Sequence, residues 1–287
     1  MDDRMGPRTN YQETPTDLLL SSGNTEVYVN PKTGIITNVK RNGVELFAAP
    51  LRPNFWRAPT DNDKPAGLAR AYRPWRDATP TLVDKKYSTG KLMLTRSYLD
   101  GKVTEKVTIG FTPDNELEIM HVLAKASPEA GVPGFFRYGL QTAITRDYQV
   151  VDWYGRGPGE AYADRFQGMR FGRWRAGTNA MTEPYIKPAE NGNRMNARYL
   201  QLSGPSAEDF TVSGYFDFSV WPYTQATLEA AEHTNELTPA TNFTLNLDYG
   251  QAGVGGDNSW MPNAGPYAVH RLSLEKPLQF NLVIGAE

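Results

Sequence analysis

Two runs of alternating apolar residues, Lys91 to Leu99 and Val103 to Phe111, are joined by Asp100-Gly101. A period of two puts one side of each run in a core, and Asp-Gly supplies the positive φ angles of a tight reversal, so the stretch reads as a β-hairpin. The same grammar recurs. Asn24 to Asn30 alternates and is followed by the turn signal Pro31–Gly34; Gly34 to Lys40 reads as its partner, with Asn42-Gly43 as the next reversal. Pro113-Asp114-Asn115 leads into a strand over Glu116 to Lys125, and Phe135 to Thr145, Thr211 to Val220, Asn242 to Leu247, Ala268 to Leu274 and Leu278 to Ile284 read likewise. Two short helices are expected, Leu68 to Tyr72, ended by Pro74, and Thr224 to His233, with Thr224 as its N-cap. With 26 glycines and 21 prolines among 287 residues, the chain carries too many breakers for a helical fold. It reads as one large all-β antiparallel sandwich with a few short helices, and parallel βαβ winding is not expected. Residues 1–15 are expected to be a leader or linker remnant, and 16–287 the sandwich.

Charge and composition exclude several functions. A formal net charge of −2 without a basic stripe argues against nucleic acid. Cysteine is absent, which removes disulfides and thiolate chemistry. The apolar runs are too short to span a bilayer as helices, and no signal peptide is expected; the chain should be soluble, cytoplasmic or periplasmic. His121, His233 and His270 lie far apart and have no zinc spacing, so they read as satisfied surface or core residues. Gly155-Arg156-Gly157-Pro158-Gly159 lacks the third glycine of a dinucleotide loop, because residue 160 is Glu160, and reads as a turn.

Asp61-Asn62-Asp63 begins like a calcium loop, but an EF-hand would need glycine where Ala66 stands and glutamate where Tyr72 stands. A calcium site of another kind stays open beside a simpler expectation, that Asp61 and Asp63 hold the loop by bonding its backbone. Glycoside hydrolysis needs two facing carboxylates. Glu160, Asp164, Glu183 and Glu190 are candidates, yet nothing in their spacing pairs them, and they read as arginine-paired or capping acids. No GxSxG frame supports acyl transfer. A sugar-binding signal remains: Trp56, Trp153, Trp174, Trp221 and Trp260 fall in or near loops rich in Asn, Asp, Arg and Gly, where a ring can stack on a pyranose. Most of these rings read as anchors. Trp260 differs, because Gly253, Gly255 and Gly256 allow its loop to turn sharply and project, with Asp257 and Asn258 tying the base.

Four segments in order carry a family resemblance. LRPNFWRAPTDND (51–63) resembles the opening signature of the β-galactosidase small-chain domain, the fifth and last domain of long family 2 glycoside hydrolases. WYGRGPGEAYADR (153–165) resembles that family's WYGRGPxExYxDR segment, PYIKPAENGNR (184–194) its PYxxPQENGxR segment, and GVGGDNSWMP (253–262) its GxGGDxSWxP loop. The resemblance spans the chain from about Thr16 to Glu287.

It implies a large antiparallel supersandwich similar to galactose mutarotases. It also implies a parent that hydrolyses terminal β-galactosides with retention, through two glutamates on a (β/α)8 barrel outside this chain. No catalytic residue is therefore expected here, and no metal site. The parent's divalent cation (Mg) and Na would belong to the barrel. By motif match Trp260 is the ring that reaches the barrel mouth and stacks on the sugar, with Asp257 and Asn258 beside it in a substrate-binding group. Arg57, Asp61, Asn62 and Asp63 would form the entrance loop. Expected partners are the barrel and other domains, or a large subunit, and the β-galactoside itself. The chain departs from the family where Lys64-Pro65-Ala66 precedes Gly67, where Ala189 replaces Gln and Gly159 replaces His, and at Met261 and Asn263; aglycone preference stays open. The alternatives are a carbohydrate-binding sandwich without a catalytic partner and an aldose epimerase, which would need a histidine acid and a glutamate base in one cleft.

Overall fold

In the computed structural model of the chain, the described residues are 9–258 and 260–285. Residues 1–8 of the expected leader lie outside them, but Asn10–Glu13 forms a strand, β1, paired with the next. It is followed by β2 (Leu18–Ser22), β3 (Thr25–Val29), β4 (Ile36–Arg41) and β5 (Val44–Glu45), which make a five-stranded antiparallel meander in sequence order. β2 and β3 alternate strictly between buried and half-buried positions, so Leu18, Leu20, Val27 and Val29 enter the core together.

The second sheet has twelve strands. β6 (Arg52–Asn54), α1 (Leu68–Ala71) and a single 3-10 turn at Arg73–Trp75 lead into β7 (Thr81–Ser88), β8 (Lys91–Tyr98), β9 (Val103–Phe111) and β10 (Leu117–Lys125). Next come β11 (Arg137–Ile144), β12 (Val150–Gly157), β13 (Arg170–Gly177), β14 (Arg194–Ser203) and β15 (Phe210–Trp221). The sheet is completed by β16 (Phe243–Gln251) and β17 (Leu278–Gly285), with α2 (Gln225–Ala230) crossing between β15 and β16. Its main path runs β13-β12-β14-β15-β17-β10-β9-β8-β7, and β16, β11 and β6 branch from β15. The branch has a simple origin. The first part of the long β15, Thr211 to Gly214, pairs with β17, and Asp217 to Trp221 pairs with β16 instead. Every pairing is antiparallel.

The all-β antiparallel expectation holds, with the β8–β9 hairpin turning at Asp100-Gly101 and Tyr98 opposite Val103. α2 opens as expected, Thr224 Oγ1 accepting from Thr227 N at 3.0 Å. One strand expectation fails. Ala268 to Leu274 is not a strand: Ala268–His270 makes a 3-10 turn and only Leu272 bridges, to Phe135. His270 also accepts Gly253 N at 2.7 Å, so this segment is shaped by the neighbouring loop and not by a ladder. The main core includes a ring cluster in which Phe55 lies 4.4 Å from Trp75, 5.3 Å from Tyr98 and 5.9 Å from Phe135, centroid to centroid. Packed through Phe55, this cluster sets where the 55–67 loop leaves the sheet. Among the described residues no helix is long and apolar enough to cross a membrane.

Candidate functional site

All four motif segments meet at one cleft of about 490 Å³. Asp61 comes from the first, Arg165 from the second, Tyr185 and Lys187 from the third, and Val254 from the fourth. An adjoining cleft of about 450 Å³ shares Arg165 and Val254 and extends past Asn62 to Tyr267. Segments separated by up to two hundred residues are thus brought together by the branch at β15 and by the loops after β6 and β12.

The loop after β6 is locked from below. Arg57 is fully buried and forms a fork with Asp63, Nε to Oδ2 at 3.1 Å and Nη2 to Oδ1 at 2.8 Å. Its remaining donors reach Ala252 O at 2.7 Å and Gly253 O at 2.8 Å, at the root of the glycine arm. Asp63 also accepts Thr60 N at 2.9 Å. The expected entrance loop therefore divides. Arg57 and Asp63 sit beneath the surface, because a buried guanidinium and carboxylate must neutralise each other, whereas exposed Asp61 and half-buried Asn62 line the clefts. The same contacts speak against calcium at Asp61-Asn62-Asp63: both Asp63 oxygens are taken by Arg57 and backbone, and the ligand set does not fit.

Asn62 joins the two sides of the arm, its Nδ2 donating to Asn258 O at 2.8 Å and Ala264 O at 2.7 Å. Asp164 accepts Val254 N at 3.0 Å and Gly255 N at 2.8 Å. These contacts explain the glycines differently from the positive φ angles expected. A Cβ on Gly253 would lie 2.3 Å from Asp164 Oδ2, and one on Gly256 1.7 Å from Ala264 O, so close approach is what demands glycine. At the tip, Asn258 Oδ1 accepts Trp260 N at 3.0 Å and Met261 N at 2.8 Å. Asn263 bridges Asn258 and Asp257, each at 3.1 Å, and Tyr267 OH donates to Asp257. Asp257 and Asn258 therefore shape the arm with their side chains. Trp260 is 77% exposed, beside exposed Met261 and Tyr267. Ser259 lies outside the described residues. The other rings act as anchors: Trp56, Trp153 and Trp221 are buried, and Trp174 is half-buried.

Three of the four candidate carboxylates, Glu160, Asp164 and Glu190, are engaged by neighbouring donors. Glu160 accepts from Arg165, Tyr185 OH and Gly192 N, the last at 2.8 Å. Asp164 caps the arm, and Glu183 lines a cleft of about 610 Å³ together with Glu160 and Asp164, its own backbone N bound to Asn191. Glu190 is buried, accepting from Arg137 at 3.2 Å, Tyr162 at 3.3 Å and Gln251 at 3.1 Å. Sequence reasoning passed over Arg165 and Tyr185, although both lie inside quoted motifs. It also missed the network under Glu190, where Arg137 donates to Asp248 at 3.2 and 2.7 Å and the β15–β16 register sets Asp217 opposite Asp248.

Burial pushes both Asp217 and Asp248 up to about 7, against the hydrogen bond from Asn196 N in one case and the charge of Arg137 in the other. A raised folded-state pKa means the fold keeps a proton that the unfolded carboxyl releases near 3.8. The stabilisation is complete below that value and is lost as pH rises towards 7. Unfolding free energies measured from about pH 5 to 7 should fall with rising pH, and Asp217→Asn should remove much of the slope. An unchanged slope in the variant would contradict the assignment.

A histidine and a glutamate do meet, His121 Nδ1 lying 2.8 Å from Glu105 Oε1. Both are buried, and Arg96, Tyr98 and Tyr138 also bond Glu105, which is held down to about 2 chiefly by the Arg96 charge, against its burial. Such a cluster braces a core and faces no substrate. This buried pair does not supply the acid and base of an epimerase, and the other pair among the described residues, His233 Nδ1 and Glu236 Oε1 at 3.1 Å, is exposed and lines none of the clefts described above.

With the cleft, the arm and the antiparallel supersandwich defined, comparison with known proteins places the chain. The family model described as Beta galactosidase small chain matches residues 21–284, and the chain belongs to that family. Similar curated proteins include the Beta-galactosidase of Vibrio cholerae, 30% identical over 283 residues, covering 91% of this chain and 26% of its own length. The Beta-galactosidase of Alteromonas mediterranea is 31% identical over 272 residues, covering 86% of this chain and 25% of its own. The chain thus spans about a quarter of the length of these relatives. Among solved structures, the Slr1438 protein from Synechocystis sp. PCC 6803 superposes with a TM-score of 0.50 at 12% identity, over 99% of this chain and 97% of that one. A GalM/aldose epimerase homologue from C. elegans superposes with a TM-score of 0.49 at 9% identity, over 98% and 99%. At 12% identity, the likeness to the Synechocystis protein speaks to the fold alone.

Proposed function

We propose that this chain is the accessory domain of a β-galactosidase, completing the mouth of an active site whose catalytic carboxylates stand on a barrel outside it. The observation that carries this reading is the meeting of the four motif segments at one cleft, with Trp260 exposed on the arm whose root, Val254, lines that cleft. A large exposed ring on a tied arm is unfavourable in water unless something covers it. The barrel would cover it, with the apolar face of the galactoside against the indole and the polar tip of the arm at its rim. Hydrolysis would proceed with retention through the barrel's two glutamates, and the Mg and Na of the parent would reside there as well. In this chain Arg57, Asn62 and Asp164 position the arm, and Asp257 and Asn258 set the conformation of its tip.

The pure chain should fold and leave a chromogenic β-galactoside intact, since a retaining mechanism without its acid and nucleophile loses orders of magnitude in rate. Turnover that co-purifies with the chain and survives a contaminant control would overturn the accessory role.

A further inference from the structure

A separate recess, of about 310 Å³, gathers Lys64, Arg70, Arg73 and Arg76 beside Trp56. Its lining holds a single carboxylate, Glu229, which is already shared. It accepts from Arg76 Nε at 3.2 Å and Nη2 at 3.1 Å, and from Trp56 Nε1 at 3.3 Å. Lys64 also feels the charge of Glu232, itself paired with Lys187. The Arg70 and Arg73 side chains have no hydrogen bond or ion pair among the described residues. Four cationic residues bordering one hollow raise its local potential, and one engaged carboxylate does not balance them.

The frame that holds them is rigid. The turn before Lys64 is fastened by the buried Arg57–Asp63 fork, and α1 packs Leu68 against Trp56, Tyr72 and Phe136. The backbone that carries the exposed Arg70 and Arg73 side chains is thus fixed, and the Arg76 guanidinium is held by Glu229. Planar guanidinium forks match tetrahedral oxyanions, donating two parallel bonds to one group.

We propose that this recess binds a compact oxyanion, a phosphate or phosphoryl group, held by Arg70, Arg73 and Lys64 beside an Arg76 fixed by Glu229. The site does not depend on the β-galactosidase reading, and its failure would leave that reading untouched.

Calorimetric titration of the chain with potassium phosphate, at ionic strength held constant with potassium chloride, tests it. Saturable one-to-one binding is expected. The Arg70→Ala, Arg73→Ala double variant should weaken it about tenfold or more, the scale of lost charge-assisted hydrogen bonds, with its phosphate-free melting midpoint unchanged. Glu229→Gln removes the competing charge and should tighten binding, which keeps the test decisive if the double variant is unstable. Galactose 6-phosphate serves as the second probe. Tighter binding than phosphate makes the ligand a phosphorylated sugar, and equal binding makes it the free anion. Heat no greater than in the chloride control, or phosphate affinity indifferent to both sets of substitutions, would overturn the site.

Discussion

Replacing Asp63 with alanine is expected to cost about 3–5 kcal/mol, the penalty for stranding one half of a buried ion pair, while Asp61→Ala stays within about 0.5 kcal/mol, as for an exposed position without special contacts. The two residues stand two apart in one loop, and their sequence context gives them the same capping role. Burial separates them. Asp63 meets both Arg57 and Thr60 N without solvent access, whereas Asp61 is exposed at the cleft. Without the carboxylate, Arg57 would face the Phe136 ring at 4.8 Å with only the carbonyls of Ala252 and Gly253 to bond it. Because those carbonyls are the root of the arm, loss of Asp63 should also quicken hydrogen exchange at the amides of residues 252 and 253. Denaturant unfolding of the two variants checks the ordering. Equal losses, or a calcium-dependent gain in stability that both substitutions abolish, would show that the loop is held in another way.

The second large effect concerns binding and not folding. In the assembled parent enzyme, Trp260→Ala should weaken β-galactoside binding by roughly 2 kcal/mol, the scale of an interfacial hot spot, or about thirtyfold in affinity. The stability of the chain itself should hardly change, because the ring is 77% exposed and contributes little to the core. A structural anchor would behave in the opposite way. Trp221, buried with its Nε1 donating to Asn191 O at 2.8 Å, provides that control, and its truncation should destabilise the domain by about 3–5 kcal/mol. Inhibition constants for a galactoside analogue, paired with melting curves, separate the two cases. A Trp260 variant that loses stability and keeps its affinity would remove the arm from substrate binding.

The contrast between these residues shows what the sequence could carry. β8, β9 and β10 were legible because each has one buried face, so Leu92, Leu94, Val107, Ile109 and Ile119 repeat with period two. β12 and β13 were not, since VVDWYGRG and RFGRWRAG mix glycine and arginine into strands and resemble loops. Ala268 to Leu274 erred in the opposite direction, its apolar alternation serving a 3-10 turn packed beside the arm. At the site, the projecting Trp260 followed from local glycines and the motif. The buried pairing of Arg137 with Glu190 and Asp248 could not, because its members lie 53 and 111 residues apart and only the β11–β16 pairing and the 184–194 loop bring them together.

The accessory role is tested most directly by adding the purified chain to the barrel-bearing remainder of its parent and following turnover of a chromogenic β-galactoside. Activity should rise with added chain and saturate as the complex forms, and the Trp260→Ala chain should support a weaker substrate affinity at full saturation. A remainder whose turnover is the same with and without the chain, or a chain that turns over the substrate by itself, would contradict it.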